Sequence, residues 1–166
     1  MQHEHFFGGS ALRAVDDRGR VRLPNFVRKT LERRTDDRTI VLGPHDSDSC
    51  LTAYDRGHKK LLFADTERLR LRDEASAAKA SAAHHARARR TFGITEEAGF
   101  DGEGRVALPE MMRRLGRIGS LALFVGTGSA FEIWNPHLAA ENGDPALSEL
   151  ARYRLENDDP TNDKEE

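Results

Sequence analysis

The sequence predicts an α+β fold: one closed β-barrel made from two tandem repeats that exchange hairpins, with helices at its periphery. Three observations predict it. "DDRGRVRLP" at residues 16–24 returns as "DGEGRVALP" at 101–109, and the copies agree at six positions: Asp16 with Asp101, Gly19 with Gly104, Arg20 with Arg105, Val21 with Val106, Leu23 with Leu108 and Pro24 with Pro109. Each copy is followed by the same succession, a short apolar helix and two apolar strands. Between the copies lies a proline-free stretch rich in Ala, Leu, Arg, Lys and Glu, the composition of a helical connector. One repeat of about 40 to 50 residues is too small to bury a sufficient core unaided, so the two must complete each other.

The elements follow in order. Residues 11–15 form a short apolar strand leading into Asp16-Asp17-Arg18-Gly19, where acidic residues and a glycine suit a tight turn that needs one positive φ. In "RVRLP", Arg20 and Arg22 alternate with Val21 and Leu23, the two-residue period of a half-buried strand that sends its arginines to one face. Pro24 ends the strand and suits the first turn of a helix carrying Phe26, Val27, Thr30 and Leu31. "TIVLG" and "CLTAY" are the next two strands, with Cys50 a half-buried strand residue. The first repeat therefore spans 7–54 and the connector 55–92, with Leu61, Leu62 and Phe63 docking on the barrel and Leu69 and Leu71 continuing the apolar side. The second repeat, 93–134, obeys the same grammar: "EAGFDGEGRVALP", a helix with Met111, Met112 and Leu115 as core filler, then "LALFVG" and "AFEIW", with Trp134 aligned to Tyr54. Residues 135–156 read as helical pieces broken by Gly143 and Pro145, and 157–166 as a disordered acidic tail.

Composition narrows the function classes. With 37% hydrophobic and 33% charged residues, the chain is that of a soluble globular protein, and it has neither a membrane-length apolar run nor a signal peptide. A single cysteine, Cys50, fits a reducing cytoplasm. The net charge of −2 hides a division: residues 141–166 carry nine acidic and three basic side chains, so the preceding 140 residues carry +4. Up to Thr35 there are eight Arg or Lys against four Asp or Glu. That bias favours a polyanionic partner, because counterion release rewards clustered cations, although a solvated charged face has the same composition.

The doubled D-x-x-x-R with its "GRV-x-LP" extension, together with Phe6-Phe7-Gly8-Gly9, "RRTF" and "AFEIW", resembles the MraZ family, whose units are related to SpoVT/AbrB swapped-hairpin DNA-binding domains. The resemblance covers most of the chain outside the tail. It implies a cytoplasmic, nucleoid-associated transcriptional regulator of the division and cell-wall gene cluster. Such a protein forms a ring-shaped homo-oligomer on short direct repeats of double-stranded DNA upstream of its own operon. By the same resemblance, Arg20 and Arg105 are the principal DNA-binding side chains, and Asp16, Gly19, Asp101 and Gly104 shape the turns. Arg13, Arg18 and Arg22 are candidates for phosphate contacts.

Chemistry gives this reading a mechanism. A carboxylate four residues before an arginine can fix the guanidinium's direction, and an oriented guanidinium can approach phosphate or the O6 and N7 acceptors of guanine bidentately. An Asp–Arg pair flanking a turn can equally well serve only to hold that turn. Where the first copy has Arg18 and Arg22, the second has Glu103 and Ala107, so the first repeat is expected to supply the main DNA surface. No cofactor is expected. The "HEH" of residues 3–5 lacks supporting metal ligands, "GTGSAF" lacks the third glycine of a dinucleotide loop, and no constellation of acid, base and nucleophile marks an enzyme. A competing class stays open: an assembly or antitoxin-like module that uses the same barrel to hold a protein.

Overall fold

The computed structural model describes residues 5–74 and 80–161. Its strands are β1 (Ser10–Ala14), β2 (Arg20–Arg22), β3 (Thr39–Pro44), β4 (Leu51–Asp55), β5 (Glu96–Gly99), β6 (Arg105–Ala107), β7 (Leu121–Gly126) and β8 (Phe131–Trp134). Its helices are α1 (Asn25–Arg34), α2 (Lys59–Glu74), α3 (Ala80–Ala88), α4 (Glu110–Leu115), α5 (Pro136–Asn142) and α6 (Pro145–Asn157). Short 3₁₀ and π segments at Arg56–His58 and Arg89–Gly93 flank the α2–α3 connector.

Most strands take partners from the opposite repeat. A six-stranded antiparallel sheet runs β1-β7-β8-β4-β3-β5, and β2 and β6 form a separate two-stranded ribbon. Only β3–β4 and β7–β8 pair within a repeat; β1–β7, β3–β5, β4–β8 and β2–β6 all cross between repeats. The turn after β1 closes as expected, with Asp16 N–H donating to Arg20 O and Gly19 N–H to Asp16 O, both at 3.0 Å. Beyond that turn the strands part to reach the other repeat.

The mixed α and β architecture is as expected, and no closed barrel is found among the described residues. The two end strands, β1 and β5, lie at opposite edges of the sheet. The three-residue strands β2 and β6 pair with each other, and Phe100, just after β5, makes an isolated bridge to Val106 of β6. The ribbon caps one face of the sheet: Val21 and Val106 pack with Val27 and Leu31 of α1, Met112 of α4, and Ile40, Leu42, Phe124 and Ile133 of the sheet. A second, smaller core on the opposite side joins Leu12, Leu123 and Trp134 to Ala139, Ala140 and Ala151 of α5 and α6.

Three local expectations change. Phe63 and Leu71 are 58% and 61% exposed rather than docked, because α2 leans chiefly on α3, where Arg87 meets Asp73 at 3.1 Å. Met112 fills the core but Met111 and Leu115 are exposed, since the six-residue α4 turns only one narrow face inward. The acidic tail is placed as far as Thr161: β1 is an edge strand, and its Ala14 N–H donates to Pro160 O at 3.0 Å. Residues 162–166, the rest of that tail, lie outside the described residues, as does His3 of the "HEH".

Candidate nucleic-acid interface

Register decides which arginines meet. In the β2–β6 ribbon Arg20 stands opposite Ala107, Val21 opposite Val106, and Arg22 opposite Arg105. Directly opposed residues share a face, and alternate residues along one strand share it too. Arg20, Arg22 and Arg105 therefore lie on one side while Val21 and Val106 are buried on the other. Arg20 and Arg105 are solvent-exposed, and Arg22 is half-buried with its Nε–H donating to Glu103 O at 3.1 Å. A groove of about 740 Å³ runs over the ribbon, lined by these three arginines, the two turn aspartates and the edges of the valines.

The two turns share one design. Gly19 and Gly104 have φ of +77° and +83°, which side-chain-bearing residues adopt only under strain. Asp16 Oδ1 accepts the backbone N–H groups of Arg18 and Arg20 at 3.0 and 2.8 Å, and Asp101 Oδ1 accepts those of Glu103 and Arg105 at 2.9 and 3.0 Å. These bonds hold both carboxyls below the ordinary 3.8, the first cause being the Arg20 N–H for Asp16 and the Arg105 N–H for Asp101. Each turn is then tied to the other repeat: Leu23 N–H donates to Gly104 O at 2.8 Å and Leu108 N–H to Gly19 O at 2.9 Å.

The side chains are not equivalent. Asp16 Oδ2 accepts Arg20 Nε–H at 2.7 Å, so the carboxylate orients that guanidinium as the spacing predicts. Arg105 instead pairs with Glu103, an acid present only in the second turn. Arg18 is exposed in the first turn. Arg13 is 7% exposed, within β1, and donates to Leu12 O at 3.2 Å; the structure does not bring it to the ribbon face.

Sequence reasoning missed two cations. The Arg113 side chain of α4 lies over Gly19, and that of Arg28 in α1 lies over Gly104. Both helices start at the motif prolines, so each repeat lays its helix on the other repeat's turn. The signal was available: Arg28 and Arg113 are separated by the same interval as Arg20 and Arg105.

The chain is 32% identical over 133 residues to the transcriptional regulator MraZ of Rhodospirillum rubrum, an alignment covering 78% of this chain and 79% of that protein. The chain belongs to the MraZ family of transcriptional regulators. MraZ proteins of Saccharophagus degradans and Syntrophobacter fumaroxidans are similar as well, at 30% over 130 residues and 27% over 131. Each alignment covers 78% of this chain, with 82% and 79% of the respective relatives. No family model matches the chain. Among the described residues, no helix of this MraZ-family chain is long and apolar enough to cross a membrane.

Proposed function

We propose that the chain regulates transcription by laying the Arg20–Arg22–Arg105 face of its ribbon against double-stranded DNA. One observation carries the reading: Arg22 and Arg105, from different repeats, stand directly opposite each other on a solvent-facing strand pair. Like charges directly opposed destabilise a ribbon unless anions offset them; Glu103 engages Arg105 here, and a polyanion laid across the face supplies more. A two-stranded ribbon also has the cross-section the major groove admits, with guanidiniums suited to the guanine edge and to phosphate.

The register refines the division of labour. Both repeats feed one face, so Arg105 adjoins Arg22 and does not form a second, separate surface. Asymmetry survives in the partners: Glu103 engages Arg105, whereas Arg20 is held by the aspartate that orients it. Arg18 extends the cationic side at the first turn toward phosphate. A single ribbon offers few groups to DNA, so affinity must come from several copies acting together. A ring-shaped homo-oligomer on short direct repeats upstream of its own operon, the division and cell-wall cluster, supplies about 10² to 10⁴ in avidity when the spacings match. Exposed Phe6, Phe63 and Leu71 are apolar surface that neighbouring subunits would cover. Such a regulator works in the cytoplasm, on the nucleoid.

Salt-dependent binding to a duplex containing the chain's own upstream region tests this. Arg20→Ala is expected to weaken binding and to flatten the slope of log K against log salt by about 0.9 for each phosphate that is no longer neutralised. Arg105→Ala is expected to do less, and Glu103→Gln to tighten binding. Equal losses at Arg20 and Arg105 would reject the asymmetry. A wild-type protein that shows no salt-sensitive shift, yet captures a specific protein, would replace this reading with the protein-holding module.

A further inference from the structure

On the opposite side of the sheet from the ribbon, the β3–β4 loop and β8 bring together three groups separated in sequence. A ring nitrogen of His45, the Cys50 sulfur and a carboxylate oxygen of Glu132 all lie within 4.8 Å of one another. No sequence pattern announces this, since His45 and Cys50 belong to the first repeat and Glu132 to the second. Cys50 is 2% exposed, more deeply buried than the half-buried strand residue expected, and sits in the bend before β4.

We propose that His45, Cys50 and Glu132 form a site for a zinc-class divalent cation that pins the two repeats together across the β4–β8 pairing. Thiolate, imidazole and carboxylate are together the donor set of zinc, and a tetrahedral ion with bonds of about 2.0 to 2.3 Å sets its ligand atoms about 3.3 to 3.6 Å apart. His45 Nε2 and Glu132 Oε2 are already 3.0 Å apart, close to the separation of two ligand atoms on one ion. A water completes the fourth position.

Hydrogen bonds hold the three groups in place. Trp134 Nε1–H donates to Glu132 Oε1 at 2.9 Å, which fixes the carboxylate and leaves Oε2 turned to the histidine. The loop is closed by His45 N–H donating to Cys50 O at 3.0 Å, which holds two of the ligands at one place. His45 Nδ1 accepts the N–H groups of Ser47 and Asp48 at 3.2 and 3.0 Å, and Asp48 Oδ2 lies 3.6 Å from the same nitrogen. Cation binding through Nε2 expels the thiol proton to solvent and moves the imidazole proton to Nδ1, which obliges the Ser47 and Asp48 N–H groups to turn away from that nitrogen. The carboxylates of Glu132 and Asp48, both close to His45, add negative charge beside the cluster that favours a cation there.

Titration of the chelator-treated full chain with Co²⁺ and then Zn²⁺ tests the site, independently of any DNA binding. Expected are one Co²⁺ per chain, tetrahedral ligand-field bands, a thiolate-to-cobalt charge-transfer band, and a Zn²⁺-dependent rise in thermal midpoint. Cys50→Ala should abolish the charge-transfer band, and His45→Asn and Glu132→Gln should remove the midpoint rise. Replacing His3 and His5 by Ala should change nothing. Three independent ligand variants, each checked for native circular dichroism, guard against misfolding of any one. Absence of the charge-transfer band in the wild type, or binding that follows His3 and His5 in place of Cys50, overturns the proposal.

Discussion

Alanine at Gly19 and at Gly104 asks whether the interlock of the two repeats, and not the turn alone, demands glycine. Both positions hold positive φ, and an alanine there costs about 1–2 kcal/mol of backbone strain at either site. The surroundings differ. A Cβ on Gly19 would fall 2.5 Å from Arg113 Nε and 2.8 Å from its Cζ, so the whole guanidinium must leave. With it goes the bond from Arg113 Nε–H to Leu108 O at 3.1 Å, worth about 0.5–1.5 kcal/mol. A Cβ on Gly104 meets Arg28 Cδ at 3.2 Å, which can retreat by a few tenths of an ångström, and Leu23 O and Cβ at ordinary contact distances of 3.6 and 3.7 Å. The expected losses are therefore about 2–3 kcal/mol for Gly19→Ala and about 1–2 kcal/mol for Gly104→Ala. Urea denaturation at one fixed protomer concentration measures both, because alanine's effect on the unfolded chain is common to the two and cancels in their difference. In an Arg113→Ala background the difference should vanish. Equal midpoints in the wild-type background, or a lower midpoint for Gly104→Ala, would refute the Arg113 clash as the cause.

Two further outcomes follow from the geometry. Asp16 and Asp101 have folded-state carboxyls below the ordinary 3.8, so the stability they contribute is complete above that value and lost as pH falls through the depressed one; Asp16→Asn with Asp101→Asn should flatten the denaturation midpoint between pH 5 and the acid limb while leaving its shape near neutrality unchanged. Arg34, whose guanidinium meets Asp55 at 2.9 Å with both side chains almost fully buried, also donates to His5 O, Gly128 O and Ser129 O and lies over the Phe7 ring. Arg34→Met should cost about 3–5 kcal/mol in urea denaturation by leaving Asp55 buried and uncompensated, and Asp55→Leu added to it should recover part of the loss.

The residues that the repeat made visible are the residues that form the turns and the ribbon. The alternation of Arg20, Val21, Arg22 and Leu23 says which face each takes, and the Asp-to-Gly spacing says where the chain reverses. Neither pattern says which strand lies alongside, since a three-residue strand fits any antiparallel neighbour of the right polarity. Arg13 shows the limit: its place beside the motif suggests exposure, but its strand is inserted beside β7 and the side chain is covered. Barrel closure is beyond the sequence for the same reason, because a repeat that needs its copy to bury a core does not say which edges meet.

By itself the sequence determined the duplication, the order and type of nearly every element, the glycine turns and the family, because each is written in local spacing or in the agreement of two copies. Only the tertiary structure decided that Arg22 faces Arg105, that Arg28 and Arg113 cover the opposite repeat's turns, and that His45, Cys50 and Glu132 converge. Those meetings join one repeat to the other; they are set by register and by which surfaces exclude water together, and no local pattern encodes a distance between segments so far apart along the chain.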